Sequence, residues 1–278
     1  YFMSRLEPVL GADVVSSRFC VVTDAGSELD QLAGAKCFRA VFHGDAAVGG
    51  RYSALTYFGL LPAAIIGCDV EWLLTRARSM ADACSPANAV SENPGVRLGL
   101  MLGYAAKAGR NKLTLAISPS LKGFGDWIEQ LVAESTGKTS HALIPVVGEH
   151  LEDPDVYGTD RIFVGIAMNG ETNDETDGAL QKLAAAGHPV VRFLLESPYD
   201  LGAECFRWEF ATAVAGAVMG IHPFNQPDVE GTKLITRKLV DRYSTGRTVA
   251  PQSAVMKHPY DSGEVGLHAP GVYGRGLV

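Results

Sequence analysis

The chain predicts an α/β protein with a mainly parallel sheet covered by helices on both sides. Three observations carry this. Strand-length apolar runs, among them Lys112 to Ile117, Arg161 to Ala167 and Pro189 to Leu194, alternate with longer helical segments. The runs are continuously apolar, as in strands buried on both faces. Of 278 residues 47% are hydrophobic and 20% charged, enough to bury a substantial core in one large or two medium domains.

The elements follow in order. Arg18 to Val22 predicts a strand, Thr23 to Ser27 a polar turn, and Glu28 the start of a short helix. Cys37 to Phe42 is the next strand. Ser53 to Gly67 reads as a helix kinked at Pro62, and Asp69 caps a helix running to Cys84. Gly95 to Gly109 is apolar on several faces and reads as a buried helix. Lys112 to Ile117 leads into a helix from Phe124 to Glu134. There Phe124, Trp127, Ile128, Leu131 and Val132 keep amphipathic spacing and Gly137 is the stop. Leu143 to Val147, Arg161 to Ala167 and Pro189 to Leu194 complete the parallel set, with Gly178 to Ala186 as crossover helix. Glu171 to Asp177 reads as a solvated acidic loop. An apolar helix through Phe206, Phe210, Val214, Val218 and Ile221 stops at His222-Pro223, since proline cannot continue the ladder. From Ser244 the periodicity is lost among glycines and prolines, as in a linker or an incomplete segment.

Composition narrows the function. A net charge of −7 argues against nucleic acid, which demands a basic face. It does not exclude a phosphate dianion held by local amides and one arginine. Cys20, Cys37, Cys68, Cys84 and Cys205 are widely spaced in apolar company and read as buried free thiols of a reducing cytoplasm. No Cys-x-x-Cys or metal-spaced His/Cys/Asp group occurs, so neither a metal nor another cofactor is expected. No signal-peptide core or spanning apolar run is seen, so no membrane is expected either.

Three segments carry chemistry. In Val48-Gly49-Gly50-Arg51-Tyr52-Ser53, paired glycines permit close backbone approach or unusual dihedrals, and Arg51 offers a planar charged fork before a helix. The same letters also suit a plain turn with an exposed arginine. In the second, Gln130 to Lys138, Glu134 falls in the last helical turn, where the dipole disfavours a carboxylate. It either faces water or is kept for chemistry. In the third, His222-Pro223-Phe224-Asn225-Gln226-Pro227 precedes Lys233, which sits where a second helix begins. A capped helix–loop–helix with a surface lysine would look alike.

Together, in this order, the segments resemble the phosphoglucose isomerase family. Gly-Gly-Arg-Tyr-Ser is similar to its first signature, Gln130 to Lys138 to its glutamate motif, and Phe224 to Lys233 to its last. The resemblance covers Phe19 to Tyr243. Phe206 to Ala213, Thr23 to Ser27 and Ser118 to Leu121 are similar to the branch fused behind a transaldolase domain.

The resemblance implies a sugar-isomerase (SIS) three-layer αβα sandwich: a partial first domain over 1–70, a second over 71–243, and 244–278 as linker or incomplete segment. It implies isomerisation of glucose 6-phosphate to fructose 6-phosphate through an enediolate in glycolysis and gluconeogenesis. Glu134 would be the base, Arg51 would stabilise the intermediate, and Lys233 would assist ring opening. Gly50, Ser53, His222 and Gln226 would contact the sugar phosphate. A homodimer and a transaldolase domain in the same parent chain are the implied partners. Such chemistry needs one base between adjacent carbons, and desolvation moves a carboxylate's pKa toward that use.

Departures are equally specific. The Gly-Thr segment that often holds a partner's histidine is here Tyr157 to Phe163, without one; His150 lies just upstream. His222 replaces a common asparagine; a ring-opening acid and a histidine bonded to a helix-end carbonyl both fit. No phosphate loop precedes Phe19, so the chain reads as a fragment expected to bind sugar phosphate weakly alone. Ser118, Ser120 and Lys122 could substitute for that loop or serve structural capping. The alternative function is a non-catalytic sugar-phosphate-binding module, which would need the loop but not Arg51, Glu134 and Lys233.

Overall fold

The computed structural model describes residues 1–138, 142–246, 256–257 and 266–267. By compactness the chain divides into Tyr1–Asn225 and Gln226–Val278.

The first unit begins with helices α1 (Phe2–Leu10) and α2 (Ala12–Val15). Strands β1 (Cys20–Thr23) and β2 (Ala40–His43) pair in parallel around α3 (Glu28–Ala35). Ser27 caps α3 by accepting from Asp30 N. Helix α4 (Tyr57–Ile65) starts later than Ser53, because Thr56 is its cap and Ser53 closes the preceding turn. Asp69 caps α5 (Val70–Ala83) as expected.

Helix α6 (Pro94–Lys107) leads into a four-stranded sheet of β3 (Lys112–Ile117), β4 (Ile144–Val147), β5 (Arg161–Met168) and β6 (Val190–Leu195). Its order is β4-β3-β5-β6, and every pairing is parallel. Connections run through α7 (Lys122–Thr136) and α8 (Asp174–Ala185), and α9 (Leu201–Met219) follows β6. The solvated acidic loop expected over Glu171 to Asp177 is corrected in its second half. Asp174, Glu175 and Asp177 form the first turn of α8, where the helix dipole favours carboxylates.

Strand alternation separates two cores. Leu113, Leu115, Ile162, Val164 and Ile166 pack with Leu98 and Leu102 of α6, Ile128 and Leu131 of α7, and Trp208 of α9. Ala116 and Phe163 pack instead with Leu180 and Leu183 of α8. The result is helix, sheet, helix: three layers. Helices α6 and α9 approach closely because α6 presents Gly95, Gly99 and Gly103 at four-residue spacing. A Cβ at Gly99 would lie 2.5 Å from Val214 Cβ and 2.6 Å from Ala211 O.

The cysteine expectation is corrected in part. Cys84 is buried and Cys205 half-buried, but Cys20, Cys37 and Cys68 are exposed, because β1–β2 and its helices leave one side open. The second unit contains α10 (Pro227–Ser244) and a short antiparallel pair, Met256–Lys257 with Gly266–Leu267. Most of the tail read as a linker lies outside the described residues. Among those described, no helix is long and apolar enough to cross a membrane, and no His/Cys/Asp/Glu group could hold a metal ion.

Candidate active site

Arg51 follows a turn whose two glycines have ordinary backbone angles: Gly49 sits at φ −70° and neither is left-handed. Unusual dihedrals are therefore not why glycines stand here. A Cβ at either would meet nothing within 4 Å, so the pair leaves open space above the backbone. Ser53 Oγ donates to Gly50 O at 2.7 Å, spending the hydroxyl on the turn itself.

The exposed-arginine alternative does not hold. The Arg51 side chain is 4% exposed, and burying its charge is tolerable only with full pairing. Nη1 donates to Ser135 Oγ (2.6 Å) and Pro223 O (2.9 Å). Nη2 donates to Phe224 O (3.2 Å) and Asn225 O (3.3 Å). Nε lies 3.5 Å from Glu134 Oε2. One guanidinium thus joins the glycine turn, the end of α7 and the loop after α9, segments 84 or more residues apart in sequence.

Glu134 is placed by α7, whose stripe Phe124, Ile128, Leu131 and Ser135 faces inward. Its side chain keeps 32% exposure, so the carboxylate has an accessible edge beside a buried cation. Arg51 offsets the unfavourable helix-end position. Gln130 Nε2 donates to Glu134 Oε1 at 3.2 Å. Lys138 Nζ donates to Glu134 O (2.6 Å) and Asn225 O (2.8 Å), tying the helix end to the same loop.

That loop owes its shape to α9. The helix ends at Met219, before His222-Pro223, at left-handed Gly220 (φ 74°), which corrects the proline as its stop. The chain then folds back until Pro223 rests on Gly216, where a Cβ would lie 2.8 Å from the proline ring. His222 is exposed. Its Nδ1 accepts from Asn225 N at 3.2 Å, so it bonds an amide rather than the expected carbonyl. Phe224 packs on Tyr52 with ring centroids 5.1 Å apart.

Gln226 and Lys233 belong to the second unit; Gln226 immediately precedes α10 and Lys233 is exposed on it. His150 lines a separate cavity of about 460 Å³ at the carboxyl ends of β3 and β4, which neither Arg51 nor Glu134 lines. Ser118 is buried as a strut between strand ends: Oγ donates to Asn173 Oδ1 (2.8 Å) and accepts from Met168 N (3.0 Å). It is structural, as one reading held, yet no side chain caps α7.

Sequence reasoning passed over Ser135, Tyr52 and Glu209. Ser135 accepts from Tyr52 Oη at 3.2 Å as well as from Arg51. Burial raises the Tyr52 pKa, with nearby Glu209 a smaller cause in the same direction. Burial likewise pushes Glu209 up to about 7 and leaves its Oε1 unpartnered. The available signal was a polar residue on an otherwise apolar helical stripe.

No family model matches the chain. Among curated proteins, the glucose-6-phosphate isomerase of Rubrobacter xylanophilus is 32% identical over 228 residues, 68% of this chain and 52% of that protein. The enzyme of the same name from Pediococcus pentosaceus is 29% identical over 223 residues, 67% and 49% of the two. The chain spans about half the length of these relatives. Among solved structures, a hypothetical protein of Thermus thermophilus superposes with a TM-score of 0.73 at 24% identity, over 86% of this chain and 66% of that one. A glucose-6-phosphate isomerase from Chlamydia trachomatis gives 0.68 at 19% identity, over 87% and 56%. These two likenesses concern the fold, an α/β architecture with parallel sheets of the sugar-isomerase type. By sequence and by fold, the chain is a homologue of the glucose-6-phosphate isomerases and belongs to their family.

Proposed function

We propose that this chain carries the proton-transfer site of an aldose–ketose isomerase acting on glucose 6-phosphate. One observation carries the reading: a buried guanidinium, paired at both terminal nitrogens, beside a carboxylate whose side chain stays partly exposed. Glu134 removes the proton from one carbon and returns it to the next, passing through an enediolate. Arg51 places a fixed positive charge where negative charge develops. Lys233 assists ring opening, and Gly50, Ser53, Gln226 and His222 contact the sugar phosphate. These latter roles rest on the signature resemblance, as do the homodimer, the cytoplasmic location and the transaldolase domain in the parent chain.

Glu134→Gln tests the reading in the natural parent protein. Isomerase kcat is expected to fall by at least ~1000-fold, together with solvent-deuterium incorporation at the sugar's second carbon. Unchanged turnover would remove Glu134 as the base.

A further inference from the structure

We infer that Arg51 is a positioning residue, acting through Glu134 and anchored by Ser135, with both terminal nitrogens bonded inside the protein rather than to a substrate oxygen. A guanidinium has five N–H groups. Four hydrogen bonds leave the two terminal nitrogens, which carry four hydrogens between them. The fifth N–H is on Nε, which faces Glu134 Oε2 across a 3.5 Å ion-pair contact rather than a hydrogen bond. Both terminal nitrogens are committed.

The acceptors are not readily exchanged. Three are consecutive main-chain carbonyls, Pro223 to Asn225, in the loop seated on Gly216. The fourth is the hydroxyl of Ser135, fully buried on the inner stripe of α7 and also bonded by Tyr52 Oη. Handing a terminal N–H to a substrate would leave Pro223 O or Phe224 O without this donor, or leave Ser135 Oγ or Asn225 O with only its second one, Tyr52 Oη or Lys138 Nζ. Glu134 is meanwhile held from two sides, Oε1 by a hydrogen bond from Gln130 Nε2 and Oε2 by the charge of Arg51, whose Nε lies 3.5 Å away. That fixes the carboxylate's rotamer and directs its open edge, the geometric requirement of a base serving two adjacent carbons. The charge of Arg51 still acts across space, while its hydrogen bonds do the orienting. Lysine, with three donors and no planar fork, cannot meet these acceptors.

The catalytic consequence rests on Glu134 being the base; the clamp itself does not. Nitrogen-15 guanidinium spectra of the 278-residue chain test the clamp directly. One arginine should show separate, slowly exchanging Nη–H signals that vanish in Arg51→Lys and average together in Ser135→Ala. A single averaged Arg51 signal in the unsubstituted chain would overturn the proposal. Amide exchange at Phe224 and Asn225 should accelerate at least ~10-fold in Arg51→Lys, and unchanged protection would count against a clamp. In the parent protein, Ser135→Ala is expected to lower kcat ~10-fold with KM kept within ~2-fold. A rise in KM matching the loss in kcat would put an Arg51 N–H on the substrate and refute the inference. Loss of the base assignment through Glu134→Gln would leave the spectra unaffected, so the two readings fail separately.

Discussion

The two parallel sheets of the first unit are built from the same ingredients yet differ sharply in burial. In β3 and β5 the strand interiors are buried almost throughout. In β1 and β2 only Val21 and Thr23 reach that state, and β2 contributes no buried residue. Around the smaller sheet Leu29, Leu32, Phe58, Ile65 and Ile66 stay exposed, the last at 79%. Local pattern is enough to write a strand and its helix. Burial comes from what is packed on the other side, and among the described residues only the four-stranded sheet has a helical layer on both faces.

The largest expected effect lies in the buried region. Trp208→Ala should cost about 3–5 kcal/mol by urea denaturation, since Trp208 is fully enclosed in the larger core. A smaller loss would mean that core is no tighter than the exposed one.

Acidity separates the regions next. Burial pushes Glu204 and Glu209 of α9 up to about 7, with the Arg207 ion pair 3.2 Å from Glu204 offsetting part. Both folded values lie above the ordinary glutamate value of 4.5. The stabilisation is therefore fully present below about pH 4.5 and is lost as pH rises through 7. Each group should remove up to ~3 kcal/mol across that interval. Urea midpoints at about pH 5 and about pH 7.5, either side of most of that loss, check this, and Glu209→Gln should flatten the difference. Asp30 beside β1 behaves oppositely. Its hydrogen bond with His43 lowers its pKa, but the pair lies in water.

Gly99→Ala should destabilise by about 1–3 kcal/mol, because its Cβ would strike Val214 and the Ala211 carbonyl. A neutral result in thermal unfolding would show that α6 and α9 have slack. Smallest of all, Val41→Ala in β2 should cost under ~1 kcal/mol, since Val41 is only half-buried. A cost matching that of Trp208→Ala would break the comparison outright.

What could be read in advance follows the same division. Strand β3 was legible to the residue, because its six-residue, mostly apolar run is bounded by polar turns and buried on both faces. Helix α7 was legible from Phe124, Ile128 and Leu131, and so was the place of Glu134 near its end. The order β4-β3-β5-β6 was not, since crossovers leave no mark on the strands themselves. The acids from Asp174 looked like a loop because charge at a helix start and charge in solvent spell alike. Nor does anything local say that Arg51 is buried. Its acceptors are Ser135 and three carbonyls of a loop beginning at Pro223, which meet only in the fold.

The seating of Pro223 on Gly216 ties the longest helix of the described residues to that guanidinium. A slide of α9 along its axis would carry the loop's three carbonyl oxygens with it, away from Arg51. The helix thus links the segment near Leu201 to the loop whose carbonyls hold Arg51.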